Sequence, residues 1–164
     1  MDIVIRQPTL DDAEELVALH VATWQETYGH LLPETFFTPE FIEGRRRMWR
    51  YVLGEPSDER VVRVAEADGE LVGFAFVGPA LGPEDVDPPR ARHLYSIYAL
   101  ARHHGTGVGQ SLLDETLGGG PAMLWVAKEN PRAIAFYRRN GFDFDGTEQI
   151  DDMAPQITEA RMIR

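Results

Sequence analysis

The chain has 164 residues, a net charge of −11, 43% hydrophobic residues and no cysteine. The missing cysteines exclude disulfides, thiolate nucleophiles and Cys-ligated metals, and the acidity argues against nucleic acid, whose phosphates demand basic surface. No apolar run is long enough for a bilayer, and the start, MDIVIRQPTLDD, lacks the regions of a signal peptide, so a cytoplasmic chain forming one domain over 1–164 is expected.

DIVIRQ alternates as a first strand. Thr9 reads as a helix N-cap, with Asp11 and Asp12 in the first turn where the helix dipole favours acids. Leu16, Val17, His20, Trp24 and Tyr28 then follow at helical spacing, and Pro33 is expected to end this helix. Thr38-Pro39 is a second cap followed by proline at the first helical position, opening EFIEGRRRMWRYVLG, whose middle Gly44 weakens. RVVRVAEADGELVGFAFVG is a hairpin turned at Asp68-Gly69. PALGPEDVDPPRAR is dense in proline and acid and reads as a surface loop. HLYSIYAL makes a fourth strand, a third helix follows HHGTGVG, and Gly118 to Pro121 end it. AMLWVA is a buried strand, Asn130-Pro131 cap a fourth helix stopped at Gly141, and FDFDGTEQI and EARMIR close the chain as strands. The order is β-α-α-β-β-β-α-β-α-β-β: a mixed α+β domain whose hairpins pair antiparallel and whose strand–helix–strand after residue 92 allows one parallel pair.

Gly105, Gly107 and Gly109 stand at the junction of the fourth strand and third helix. Bare backbone N–H groups at a helix N-terminus are a ready anion site, so a phosphate is the expected occupant. The pattern is G-x-G-x-G; it is neither the dinucleotide fingerprint nor a P-loop, since no G-K-[ST] follows. Asn130 and Tyr137 lie two helical turns apart and so share a face, an N-cap amide at one end and a phenol further along.

Together with WVAKENPRAIAFYRRNGF, the glycine junction resembles the GCN5-related N-acetyltransferase (GNAT) superfamily, which has a Q/R-x-x-G-x-G/A loop after its fourth strand and a later N-x-x-A-x-x-F-Y helix followed by G-F. The resemblance spans the whole chain and implies the GNAT fold: a central, mostly antiparallel sheet of six to seven strands, four flanking helices, and a splayed parallel pair at strands four and five. It implies transfer of acetyl from acetyl-coenzyme A to a primary amine by direct attack on the thioester. The phosphate loop then falls on His104, Gly105, Thr106, Gly107, Val108 and Gly109, with His104 replacing the usual Gln or Arg. A histidine can still donate to phosphate, though with one nitrogen and a pH-dependent charge; a merely solvated ring is the alternative.

By the same resemblance the pantetheine arm pairs with the strand end Ile97, Tyr98 and Ala99, Asn130 contacts that arm, and Arg132 lies beside it at the start of the same helix. Tyr137 would protonate the leaving thiolate, which a phenol of ordinary pKa near 10 can do, against core packing beside Phe136. Many family members place a Glu on strand four where this chain has His93, a competent base near neutrality; Glu129 and a water-mediated route are alternatives. Small bacterial members carry a similar W-x-x-x-Y-x-x-x-L-P segment, and Trp24 and Tyr28 are the expected acceptor-binding residues, against a core stripe at helical spacing. Arg45 to Arg50 could meet an acidic acceptor or the coenzyme's ribose phosphate, or form a solvated helix face. No metal is expected, because the five histidines show no ligand spacing beyond the adjacent His103-His104 pair. The family often dimerises, but no segment marks an interface. Two other readings stay open: a non-catalytic acyl-coenzyme A sensor on this fold, and an unrelated nucleotide-binding module with a glycine-rich turn.

Overall fold

The computed structural model describes residues 2–82 and 86–164. Strand β1 is Ile3–Arg6, followed by helices α1 (Ala13–Tyr28) and α2 (Pro39–Gly54). Strands β2 (Val61–Ala67), β3 (Glu70–Pro79) and β4 (Arg92–Ala99) come next, then α3 (Val108–Thr116), β5 (Met123–Ala127), α4 (Pro131–Arg139), β6 (Asp143–Ile150) and β7 (Thr158–Ile163). The sheet order is β1-β2-β3-β4-β5-β7-β6, antiparallel everywhere except between β4 and β5. The expected element order and α+β class hold. Of the expected surface loop, residues 83–85 lie outside the described residues.

The local signals act as physical chemistry requires. Thr38 Oγ1 accepts the N–H of Phe41 at 3.2 Å, and α2 runs unbroken through Gly44, held by its packing. The hairpin turns at Asp68 and Gly69 with φ of 51° and 82°, the paired left-handed geometry that favours Asp-Gly. Helix α1 stops at Tyr28, five residues before Pro33, because the N–H groups of Leu31 and Leu32 both donate to the Tyr28 carbonyl and fold the chain back. Thr9 opens a short 3₁₀ turn, Leu10–Asp12, ahead of α1, and Asp12 is clamped by both Thr9 N–H at 2.7 Å and Arg6 at 2.8 Å.

Residues Leu71 to Gly78 of β3 are all buried, so both faces of this central strand are covered. Alternation assigns the covers. Phe74 meets Trp49 of α2, ring centroids 5.4 Å apart, whereas a Cβ on Gly73 would meet Leu112 and Val108 of α3 and the Tyr98 carbonyl within 3.2 Å. A side chain at position 73 would make Leu112, Val108 and the Tyr98 carbonyl give by a few tenths of an ångström, so glycine there lets α3 lie close against the sheet.

The feature that positions the site is the short parallel contact. β4 and β5 pair only at His93↔Met123 and Leu94↔Leu124, although β4 continues to Ala99 and β5 to Ala127. The register with β3 skips Tyr95, so a bulge in β4 falls at the point where the strands part.

Candidate active site

Past Leu94 the two strands diverge into a cleft. β4 stays paired to β3 through Ala99, and β5 to β7 through Ala127, so their facing edges carry main-chain groups without each other as partners. Such groups need water or a ligand, and an extended arm laid between them can pair as a strand does. Ile97, Tyr98 and Ala99 lie along this free edge.

The chain leaves β4 through a 3₁₀ turn at Ala101–His103 and enters the glycine loop. Gly105 and Gly107 have φ of 77° and 89°, and a Cβ on either would meet nothing within 4 Å. The need for glycine there is conformational, and the space beside them is open. In α3 the Ser111 N–H is the first to find a backbone acceptor, Gly107 at 3.0 Å; those of Val108, Gly109 and Gln110 have no partner among the described residues, as the geometry of a helix start dictates. Thr106 Oγ1 donates to the His103 carbonyl at 2.6 Å and holds the loop closed. His104 Nε2 lies 3.0 Å from the Ala99 carbonyl. Donation there turns the ring back onto β4 and leaves anion binding to the main chain.

Across the cleft, Asn130 Oδ1 accepts the Ala133 N–H at 3.2 Å and starts α4, while Arg132 is exposed in its first turn. Tyr137 is buried beside Phe136 and Phe142. Burial pushes its phenol above the ordinary pKa, and the Tyr28 phenol adds to that, so the two hydroxyls lie in one neighbourhood. Tyr28 and Tyr98 are linked directly, oxygen to oxygen at 3.2 Å. Burial likewise raises the Tyr28 pKa, partly offset by Tyr98 and the Asn130 amide. The structure thus gathers Tyr28, Tyr98, Asn130 and Tyr137 around the open strand ends.

Trp24 packs edge-on against Tyr28 at 4.8 Å and parallel to Phe36 at 6.0 Å. With Leu32, Ala127, Ala154 and Ile157 these two aromatics form a buried cluster that walls one end of the cleft. Beneath it, His20 Nδ1 accepts the Trp49 indole N–H at 3.0 Å, and burial holds His20 neutral with its pKa lowered to about 3.

His93 stands elsewhere. It lies at the closed end of the parallel contact, five residues before Tyr98, or roughly 16 Å along an extended strand. Its ring is buried, its Nδ1 accepts the Leu81 N–H at 3.3 Å, and burial lowers its pKa to about 4. With its lone pair engaged and its basicity reduced, His93 is a poor base as placed.

A carboxylate that sequence patterns did not mark lies at the open end instead. Glu159 of β7 pairs with Ala127 at the open end of β5, accepts the Gln149 amide at 3.0 Å, and acts electrostatically on the Tyr28 phenol. Burial raises its pKa above the ordinary glutamate value, with Asp151 and Asp152 adding to the shift. Only the β5–β7 register would have revealed it, and no local motif encodes that pairing.

Against known proteins, the model of the acetyltransferase (GNAT) family matches residues 15–142. The peptidyl-lysine N-acetyltransferase YjaB of Escherichia coli is 26% identical over 154 residues, covering 93% of this chain and 90% of its own. An N-acetyltransferase of Mycobacterium tuberculosis is 28% identical over 162 residues, covering 94% and 98%. Among solved structures, the PaiA N-acetyltransferase of Thermoplasma acidophilum in complex with coenzyme A superposes with a TM-score of 0.70 at 22% identity, over 100% of this chain and 99% of that one.

Proposed function

The chain belongs to the acetyltransferase (GNAT) family, and from that premise we propose that it transfers acetyl from acetyl-coenzyme A to a primary amine by direct attack. The observation that carries the reading is the parting of β4 and β5 directly beside the glycine-led start of α3. The residues present suit coenzyme A: unpaired N–H groups at Val108, Gly109 and Gln110, open space beside Gly105 and Gly107, and free strand edges for an extended arm. Asn130 and the exposed Arg132 border the path of that arm.

Acetyl-coenzyme A supplies an acetyl group on a thioester whose sulfur leaves as a thiolate. The amine lone pair forms the new C–N bond while the C–S pair departs on sulfur. Tyr137 gives the sulfur its proton; burial raises its pKa, which keeps the hydroxyl protonated near neutrality and also makes it a weaker acid than an ordinary phenol. The amine must also lose a proton, and Glu159 takes it, directly or through one water, in place of His93. Main-chain N–H groups along Ile97–Ala99 polarise the thioester carbonyl, and the two walls hold amine and carbonyl together.

Thermal-shift titration with acetyl-coenzyme A, with ATP and NAD as controls, tests the donor side. A ligand bound only by the folded state raises the melting temperature with ln(1 + [L]/Kd). The expected result is a shift with acetyl-coenzyme A alone; no shift at millimolar ligand would overturn the proposal.

A further inference from the structure

Arg45 of α2 carries a charge that the fold leaves unanswered. Its guanidinium sits over the Phe41 ring at 5.0 Å and the Trp24 ring at 5.6 Å. Its Nε–H is sealed from solvent and has no acceptor, while Nη2 meets only the Met153 sulfur at 3.3 Å, a weak one. Arg46 and Arg50 of the same helix both pair with Glu14, at 3.0 and 2.9 Å, while Arg47, which has no ion pair among the described residues, is exposed to water. Among the described residues no carboxylate lies within ion-pair distance of Arg45. Asp151 is near enough to be felt, but its Oδ1 is spent on the N–H groups of Met153 and Ala154.

Arg45 is half-buried, and its sealed Nε–H is a buried donor without an acceptor, which asks for an explanation. The position supplies one. Arg45 acts electrostatically on both Tyr98 and His20, and it covers Trp24, which packs against Tyr28. It therefore belongs to the wall on which the acceptor would lie. Its planar fork matches a carboxylate or a phosphate in two parallel hydrogen bonds.

We propose that the acceptor amine carries an oxyanion, a carboxylate or a phosphate, and that Arg45 binds it while the amine is presented at the open ends of β4 and β5. The inference rests on the acetyl-transfer reading. Met153 is the group displaced, and the Trp24 and Phe41 rings, 6.0 Å apart, support the fork from one side.

The test is a thiol-release panel of paired acceptors: amino acids against their amides, and aminoalkyl phosphates against neutral aminoalcohols. The expected result is kcat/KM at least tenfold higher for one anionic series, which also says whether carboxylate or phosphate is the source. Arg45→Met should erase that preference by raising KM for anionic acceptors at least tenfold, with KM for acetyl-coenzyme A unchanged. Because the substitution removes a half-buried unpaired charge and keeps an apolar stem, its melting temperature should hold or rise. Arg45→Lys keeps the charge without the fork and should recover only part of the preference. Equal rates for anionic and neutral partners, or a preference that survives Arg45→Met, would overturn the proposal and leave acetyl transfer standing. If no acceptor turns over, binding decides: anionic amines that fail to stabilise the coenzyme A-saturated wild type more than Arg45→Met also overturn it. Failure of the acetyl-transfer reading itself would show separately, as no shift with acetyl-coenzyme A.

Discussion

The two sides of the cleft are made of different material. The donor side is main chain: helix-start N–H groups at Val108, Gly109 and Gln110, left-handed glycines at 105 and 107, and a bare strand edge at Ile97–Ala99. The proposed acceptor side is side chain, drawn from four separated segments: Trp24 and Tyr28 from α1, Arg45 from α2, Tyr98 from β4 and Glu159 from β7. A main-chain site asks little of residue identity beyond glycine and can take the same ligand in many relatives. A side-chain site changes with every substitution, so it can set the acceptor while the donor site stays fixed.

The contrast is broken most sharply where the two sides meet, at Tyr137. Tyr137→Phe should lower kcat about a hundredfold, the ordinary scale of lost acid assistance, with KM for acetyl-coenzyme A within about twofold. Glu159→Gln should lower kcat/KM on the same order and remove the acidic limb of the pH profile. Steady-state thiol release at saturating acetyl-coenzyme A checks both. If both variants keep their rates while the thermal shift persists, neither residue serves the chemistry; if the wild type binds but turns over no amine, the fold serves as an acyl-coenzyme A sensor.

Acid should strain the acceptor side, where buried histidines stand under side chains. His20 supports Trp49 and packs 4.9 Å from Phe74, and burial lowers its pKa to about 3; His93, at the closed end of the cleft, falls to about 4. Both values lie below the ordinary 6.5, so the unfolded chain binds more protons between them. This stabilisation is therefore full above about pH 6.5 and is lost as pH falls toward 4. Between about pH 7.5 and about pH 5 each histidine should cost about 2 kcal/mol. Urea unfolding at the two pH values measures the loss, and His93→Gln should remove about half of it.

The same contrast explains what the sequence disclosed. Every element of the sheet was legible, because caps such as Thr38 and Asn130 and turns such as Asp68-Gly69 are local chemistry. The glycine loop was legible for the same reason. The end of α1 was not, since Leu31 and Leu32 fold back on Tyr28 through main-chain bonds that residue type does not announce. Glu159 and the isolation of Arg45 were not legible either. Each depends on a partner more than twenty residues away, Ala127 across the β5–β7 ladder or Trp24 across the α1–α2 contact. His93 shows the converse limit: residue count alone places it, while its buried surroundings follow from the β4 bulge and the short parallel contact.

The smallest expected effects separate two glycines of one loop. Gly107 has φ of 89°, and an alanine there must hold a left-handed conformation. That costs roughly 1–2 kcal/mol, so Gly107→Ala should lower the melting temperature and weaken acetyl-coenzyme A about tenfold as the loop relaxes. Gly109 lies inside α3, where a Cβ would rest 3.7 Å from the Phe136 ring, an ordinary contact. Gly109→Ala should therefore leave the melting temperature unchanged or raise it, by up to about 1 kcal/mol of helix propensity. Paired thermal melts with and without acetyl-coenzyme A read both effects. If Gly109→Ala loses the ligand shift while the free protein gains stability, the new methyl obstructs the ligand and the diphosphate lies against that residue's backbone. If it keeps the shift, the diphosphate is held on the Gly105–Val108 side, and the two-residue glycine spacing serves the turn at 105 and 107 more than the approach at 109.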